Sequence, residues 1–225
     1  MEGAQANFDA ALAVSKQESS SCLRSKPGSE ESIMKQDTYA TVLTIGHSTR
    51  PLAEFIALLA AHSVTLLIDV RTVPRSRHNP QFNSDTLPVA LEVAGIDYMH
   101  VAGLGGFRRA GPDSPNLGWR NASFRGYADY MQTAEFAQNL ASLMKLAKQE
   151  RVVLMCAEAV PWRCHRSLIA DALQVHGLRV GEIIDRTRCK VHALTPFAKV
   201  NGAAITYPPS YATESCTAVK TGGKQ

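Results

Sequence analysis

Residues 151 to 177 read RVVLMCAEAVPWRCHRSLIADALQVHG and contain the structural pattern that the rest of the chain repeats. A short apolar run, Val152 to Met155, stops at Cys156, and a loop containing proline follows. An amphipathic helix is predicted from near Arg163 to Gly177, because glycine commonly ends a helix. The pattern is therefore a strand, a loop and a helix. In a parallel sheet such a joint forms a crevice whose exposed N–H groups favour negative charge.

Strands and helices also alternate on both sides of this stretch. Besides residues 152 to 155, the predicted strands are VLTIG at 42 to 46, Thr65 to Val70, Ile96 to Val101 and Arg179 to Ile184. Helical spacing of apolar residues predicts helices from Leu52 to about His62, from Asp85 to Gly95 and from Glu135 to Lys148. Such alternation predicts an α/β fold, a doubly wound and mainly parallel five-stranded sheet with helices on both faces.

The length of 225 residues suits one domain of this class. Residues 1 to 38 are rich in Ser, Gln, Lys and Glu and are predicted to form a disordered N-terminal tail. We expect a single domain over residues 39 to 200 and a flexible C-terminal tail over 201 to 225.

Charge and cysteine usage narrow the classes of protein. The net charge of +4 permits anionic ligands but falls short of the basic runs of a dedicated nucleic-acid binder. The five cysteines lack disulfide-scaffold spacing, which favours a reduced cytoplasmic location. The chain has no apolar run of about 18 to 20 residues that would span a membrane, and no readable secretory or mitochondrial signal.

The unusual polar residues follow the predicted strands, at the carboxyl edge where parallel sheets bind ligands. The predicted substrate-binding residues are His47, Ser48, Asp69, Arg71, Gly105, Gly106, Arg163 and Arg166. We expect Asp69 to pair with Arg71, since an unpaired carboxylate would repel an anion, and Arg166 to bind that anion through a charge-assisted hydrogen bond.

The predicted catalytic residues are Cys156, Glu158, Cys164 and His165. A thiol in the first turn of a helix beside arginines has a lowered pKa, so Cys156 or Cys164 is a candidate nucleophile. His165 is predicted to lie on the helix face that points to the sheet, and Glu158 to transfer a proton. The alternative is that these cysteines only pack in the core, as free cysteines often do.

Five motifs carry a resemblance to a known family. They are TIGHSTR, LIDVRTVPRSR with NPQFN, GIDYMHVAGLGG, FRGYADYM and VVLMCAEAVPWRCHRSLIA, in this order between about Val42 and Phe197. Together they resemble the domain of unknown function 488 family. The resemblance implies an α/β domain and marks Cys156, Glu158, Cys164, His165 and Arg166 as a recurrent signature, but it brings no established activity.

The first functional hypothesis is a thiol-dependent hydrolase or transferase acting on an anionic, phosphate-bearing or nucleotide-like substrate. The segment is analogous to phosphatase and rhodanese loops, in which backbone N–H groups hold an oxyanion while a thiolate attacks. Those loops place an arginine six residues after the cysteine, whereas here that position is Trp162 and Arg163 follows it. Pro161 also removes one N–H donor.

Two other hypotheses stay open. One is a metal or redox protein using Cys156, Cys164, His165 and His47, with a reversible disulfide between the two cysteines. Paired C-x-x-C spacing is missing, so we expect no metal and no cofactor. The other is a nucleotide or nucleic-acid binding module without catalysis. Its phosphate-binding arginines would be Arg71, Arg75, Arg77, Arg108, Arg109 and Arg125, with Trp119 or Phe124 for stacking.

Overall fold

The computed structural model describes residues 42 to 209. Its strands are β1 (Val42–Gly46), β2 (Leu66–Asp69), β3 (Asp97–His100), β4 (Val152–Cys156), β5 (Val180–Ile183), β6 (Cys189–Val191), β7 (Lys199–Asn201) and β8 (Ala204–Thr206). Its helices are α1 (Leu52–Ala61), α2 (Leu87–Val93), α3 (Ala122–Tyr130), α4 (Ala134–Leu146) and α5 (Arg166–Val175).

The main sheet has six strands in the order β3-β2-β4-β1-β5-β6. The first five are parallel, and β6 runs antiparallel to β5. The predicted α/β fold with a mainly parallel sheet is thus confirmed, and β6 adds a sixth strand at one edge. This strand was missed because its three residues are all exposed and show no alternation of apolar and polar side chains.

Apolar side chains cover both faces of the sheet. Successive side chains of a strand point to opposite faces, so Leu43 and Ile45 of β1 pack against α1 and α2, while Val42 lies on the other face. That second face is covered by α3, α4 and α5, which contribute Tyr127 and Leu140 among others. Helices therefore lie on both faces, as predicted.

The folded region extends beyond the predicted boundary at residue 200. Strands β7 and β8 form an antiparallel hairpin, and Tyr207 after it is fully buried. The Tyr207 hydroxyl donates to Asp171 on α5 at 2.9 Å. Residues 201 to 209 are thus part of the domain, while the remainder of both predicted tails lies outside the described residues.

The helix of the central segment begins three residues later than predicted. Pro161–Arg163 form a separate 3-10 turn, and Cys164 has an extended backbone, with φ −129° and ψ 142°. The α-helix starts at Arg166, with His165 at its N-cap position. Cys164 and His165 therefore lie in an irregular connection, whereas Cys156 is the last residue of β4.

The long segment predicted as a loop from Ala102 to Gly126 already enters helix α3 at Ala122. Within residues 42 to 209, none of the helices is long and apolar enough to span a membrane.

Candidate functional site

A cavity of about 610 Å³ lies at the carboxyl edge of β1, β2 and β4. The register pairs Gly46 with Cys156 and Asp69 with Met155, which brings the ends of the three strands side by side. The predicted site residues that line the cavity are His47, Ser48, Arg71, Gly106, Cys156, Glu158, Arg163, Cys164 and His165. Asp69, Gly105 and Arg166 are buried and do not line it.

The loop after β4 folds back over the end of β1. A Cβ added at Gly46 would lie 2.0 Å from the carbonyl oxygen of Glu158, so this approach requires glycine. The backbone N–H groups of His47 and Ser48 donate to the carbonyls of Cys156 and Ala157 at 2.9 and 3.0 Å. The loop that carries the first thiol is therefore fixed to the neighbouring strand.

Two thiols and an imidazole meet at the cavity wall. The sulfurs of Cys156 and Cys164 and a ring nitrogen of His165 all lie within 4.8 Å of one another. His165 Nε2 is 2.9 Å from the carbonyl oxygen of Val70, and since a carbonyl only accepts, Nε2 carries a proton. The nitrogen that faces Cys164 is Nδ1, at 3.8 Å from its sulfur.

Gly106 packs against the face of the His165 ring. A Cβ added there would lie 2.5 Å from Nδ1, 2.9 Å from Cγ and 3.0 Å from Cε1. A point in the ring plane, along the Nδ1 lone pair, would lie distinctly farther from both carbons. Gly106 thus lies above the ring and leaves the in-plane direction of Nδ1 to the thiols.

The Arg166 side chain binds both Cys164 and the loop that follows Cys156. Its guanidinium is fully buried and donates from Nε to Cys164 Sγ at 3.4 Å and from Nη2 to the Glu158 carbonyl at 2.7 Å. Its Nη1 lies 3.4 Å from both carboxylate oxygens of Glu182 on β5. Arg166 thus contacts a thiol and a loop and lines a second cavity, of about 570 Å³, instead of this one, so its contact with an anion stays a prediction.

Glu182 was missed by the sequence analysis. It lies in a buried strand, VGEI, and also accepts a hydrogen bond from Thr44 Oγ1. An acidic residue inside an apolar strand is a usable signal, because a buried carboxylate requires a partner.

The two thiols differ in proton affinity. The hydrogen bond from Cys156 holds the pKa of Cys164 well below its usual range; His165 and Arg166 act in the same direction, and burial opposes them. The same sulfur–sulfur hydrogen bond, followed by burial, raises the pKa of Cys156. Of the two candidates, Cys164 is therefore the more acidic thiol.

A second buried network forms the opposite wall. Arg71 donates from Nη2 to Asp69 at 2.6 Å, which confirms the predicted pairing, and its Nη1 lies 3.3 Å from His47 Nε2. Because arginine only donates, Nε2 of His47 accepts, and Nδ1–H donates to the Ser48 carbonyl at 2.8 Å. Burial lowers the pKa of His47 to about 4, so its ring is neutral at pH 7.

The comparisons with known proteins give a single match. The family model described as Domain of unknown function DUF488 matches residues 51–173, more than half of the chain. The chain belongs to the DUF488 family. No curated protein and no solved structure matches it.

The DUF488 match contains the whole thiol cluster together with Glu158 and Arg166. It ends before Glu182, the carboxylate that pairs with Arg166, and begins after His47. Residues that contact or lie beside the thiol cluster are therefore found on both sides of the matched segment.

The rim of the DUF488 cavity combines exposed charge with exposed apolar surface. Glu158, Arg75 and Arg163 are exposed lining residues, and so is Phe107, with 83% of its surface exposed. Phe107 was not singled out from the sequence, since a lone aromatic residue in a glycine-rich loop has no pattern to distinguish it.

Both aromatic residues predicted to stack on nucleic-acid bases pack in the core, and Phe124 lines the cavity as well. Trp119 packs against Phe124 with ring centroids 4.7 Å apart, and against Phe197 at 5.0 Å. Arg108 lies 3.5 Å above the centre of the Tyr130 ring and donates to the Gly103 carbonyl. Gly105 has a packing role too, because an added Cβ would lie 2.6 Å from Thr72 Oγ1.

Proposed function

We propose that this protein is a thiol-dependent hydrolase or transferase that uses Cys164 as its nucleophile and acts on an anionic substrate. The observation that carries the proposal is the environment of Cys164 Sγ at the cavity wall. Arg166 Nε lies 3.4 Å from the sulfur and His165 Nδ1 3.8 Å from it. A thiolate at neutral pH is the reactive form of cysteine, and neighbouring cationic donors are what maintain it.

The reaction we propose has two steps. In the first, the Cys164 thiolate attacks an electrophilic phosphorus or carbon atom, and a sulfur–substrate bond forms as the bond to the leaving oxygen breaks. Glu158, exposed at the cavity wall, gives that oxygen a proton. In the second, water or an acceptor hydroxyl gives a proton to Glu158 and displaces the thiolate.

Substrate binding is assigned to the rim. Arg75 and Arg163 supply exposed positive charge beside the cavity, whereas the charge of Arg71 is offset by Asp69. Phe107 offers a flat apolar surface at the same rim, which supports a nucleotide-like substrate in which a planar group accompanies phosphate. The mechanism requires reduced cysteines, which the expected cytoplasmic location maintains.

The test is a screen of phosphate monoesters, nucleotides and acyl esters with the parent protein and with Cys164→Ser, Glu158→Gln and Cys189→Ser. We expect turnover that Cys164→Ser abolishes and that Glu158→Gln lowers by about 10²- to 10⁴-fold, the usual contribution of a general acid. Cys189→Ser is the control, because Cys189 is a free exposed cysteine on β6.

Binding separates the two roles. Glu158→Gln should retain the affinity for the substrate found in the screen, whereas Arg163→Ala should weaken it. Turnover that persists in Cys164→Ser would refute the nucleophile, and weaker binding by Glu158→Gln with normal binding by Arg163→Ala would refute the assignment of the proton donor.

A further inference from the structure

The Cys156, Cys164 and His165 side chains form a compact set of soft metal ligands. Their donor atoms lie within 4.8 Å of one another, and Cys164 Sγ is 3.8 Å from His165 Nδ1. In a tetrahedral zinc site, with bonds of about 2.3 Å to sulfur and about 2.0 to 2.1 Å to nitrogen, a sulfur and a nitrogen ligand are about 3.6 Å apart. A shift of a few tenths of an ångström would bring the observed pair to that distance.

The orientation of the imidazole matches that of a metal-binding histidine. Such residues bind through one nitrogen and donate the other N–H to a backbone carbonyl or carboxylate. His165 Nε2 donates to the Val70 carbonyl at 2.9 Å. Gly106 lies above the ring face, so the in-plane side of Nδ1, which a metal would occupy, is left open toward the thiols.

The charges around the cluster also suit a divalent cation. The charges of two thiolates and one divalent ion sum to zero. The charge of the neighbouring Arg166 is offset by Glu182, 3.4 Å away. Arg166 Nε–H and the backbone N–H of Glu158 each donate to one of the two sulfurs. Hydrogen bonds of this kind orient and stabilise thiolate ligands.

The sequence analysis expected no metal because paired C-x-x-C spacing is missing. In the structure the ligands come from a strand end and from a loop eight residues farther along, so spacing along the chain does not reveal them. His47, the fourth ligand considered from the sequence, does not join the cluster, since its ring nitrogens face Arg71 and the Ser48 carbonyl.

We propose that Cys156, Cys164 and His165 bind one thiophilic divalent ion such as Zn²⁺ through Sγ, Sγ and Nδ1, with a fourth coordination position open to the cavity. All three residues line that cavity, so water or a ligand in it reaches the fourth position. The proposal goes beyond the proposed function but uses the same thiolates. The metal-bound and the nucleophilic forms of the cluster therefore exclude each other.

The test uses chelator-treated protein in which Cys22, Cys189 and Cys216 are replaced by serine, so that Cys156 and Cys164 are the remaining thiols. Zn²⁺ affinity is measured by competition with a chromophoric chelator. Co²⁺ is then added as a spectroscopic probe. We expect one ion per chain, thiolate-to-cobalt charge-transfer absorption and the d–d bands of tetrahedral cobalt.

Further replacement of Cys156 or Cys164 by serine, or of His165 by glutamine, should weaken binding by about 100-fold or more, since even residues that only orient ligands contribute 10- to 100-fold. His62→Gln is the matched control, because His62 is bound to the Asp185 carbonyl, away from the cluster. Circular dichroism verifies that each variant is folded. Absence of stoichiometric binding, or equal binding by the Cys164→Ser variant, overturns the proposal.

A second measurement uses the parent protein, so it remains possible if substitution of a metal-binding residue prevents folding. Zn²⁺ should protect Cys156 and Cys164 of the parent protein from iodoacetamide, while Cys189 stays reactive as the internal reference. Equal labelling with and without Zn²⁺ overturns the metal site. If the protein binds Zn²⁺ but Cys164 is labelled slowly in its metal-free form, the metal site stands and the proposed nucleophile is refuted. The failure of each proposal is therefore recognised separately.

Discussion

The Cys164 sulfur has three polar neighbours, Cys156, His165 and Arg166, all from the segment between residues 156 and 166. Cys156 and His165 are close in sequence, and their residue types were sufficient to predict a thiol site. Which thiol is the more acidic was not predictable, because the pKa of Cys164 depends chiefly on the hydrogen bond from Cys156 and further on Arg166, whose partner Glu182 lies in a later strand. The sequence thus predicted residues that the fold brings together, but not the direction in which the Arg166 side chain points.

The labelling rates of Cys164 and Cys189 should depend differently on pH, because the two thiols have contrasting environments. The pKa of Cys164 is lowered well below 9.0, chiefly by the hydrogen bond from Cys156, whereas burial raises the pKa of Cys189. We therefore expect iodoacetamide to label Cys164 at a rate that is almost constant from about pH 6 to pH 9, while labelling of Cys189 rises throughout. Mass spectrometry of timed samples gives both rates. A Cys164 rate that rises in parallel with that of Cys189 would contradict a stabilised thiolate.

Gly106 should be intolerant of a side chain. In Gly106→Ala the new methyl group would meet Nδ1 of His165 at 2.5 Å, so the imidazole must move away from Cys164. We expect the labelling rate of Cys164 at pH 6 to fall at least several-fold, as the thiolate loses a donor. Gly111→Ala is the matched control, because its added Cβ finds nothing nearer than 3.9 Å. Equal effects of the two substitutions would show that His165 does not support the thiolate.

At the scale of elements, the parallel strands were predictable because each is a short apolar run followed by a helical pattern. The segment between β3 and α3 was less so, since it is ordered by polar contacts rather than by periodic apolar residues. Asp129 on α3 accepts from Ser114 Oγ at 2.5 Å, Asn116 Nδ2 at 2.8 Å and the Gly111 N–H at 2.9 Å. One helical carboxylate thus fixes a loop that covers the core.

Asp129→Ala should destabilise the fold in a pH-dependent way. Although desolvation raises it, the pKa of Asp129 is lowered overall by the hydrogen bonds from Ser114, Asn116 and Gly111. A carboxylate with a depressed pKa contributes stability that is present above the unfolded value of 3.8 and is lost as the pH falls below it. We expect a loss of about 1 to 2 kcal/mol at pH 7, discounted for its solvent exposure, and a smaller loss near pH 3.

Urea unfolding at the two pH values measures this difference. Asp113→Ala is the control, because Asp113 is an exposed acidic residue of the same loop. The same loss at both pH values would mean that Asp129 acts through packing rather than through its charge.

At the scale of the whole molecule, the C-terminal segment closes one face of the domain over α5. Asp171 is fully buried and accepts from His192 Nε2 at 2.7 Å, the Thr195 N–H at 3.1 Å and the Tyr207 hydroxyl at 2.9 Å. From residue 201 onward the sequence predicted a tail, because strands of three residues carry little pattern. The segment is ordered by residues distant in sequence, since Asn116 and Gln132 also bind the backbone of Tyr207 and Ile205, and such distant pairing has no local sequence signal.

Tyr207→Phe should test that closure. The variant keeps the ring in its core position but leaves Asp171 with one donor fewer, at a cost of about 1 to 3 kcal/mol for a buried charged acceptor. Hydrogen exchange should increase over residues 189 to 207 and remain unchanged in β1 and β4. Tyr98→Phe is a control of the same chemistry, since Tyr98 donates to Asp69 at the far edge of the sheet. Increased exchange in both regions for either variant would contradict a local role for Tyr207.

The chain has two tryptophans, and their contrasting positions make its fluorescence a double reporter. Trp119 is packed among aromatic rings of the core, so its blue-shifted emission reports on global unfolding. Trp162 is 70% exposed on the 3-10 turn that precedes Cys164, so its red-shifted, acrylamide-quenchable emission reports on the loop that carries this cysteine. A ligand or ion that settles on this loop becomes visible as a change in quenching of one indole, in the unlabelled protein and before any substrate is known.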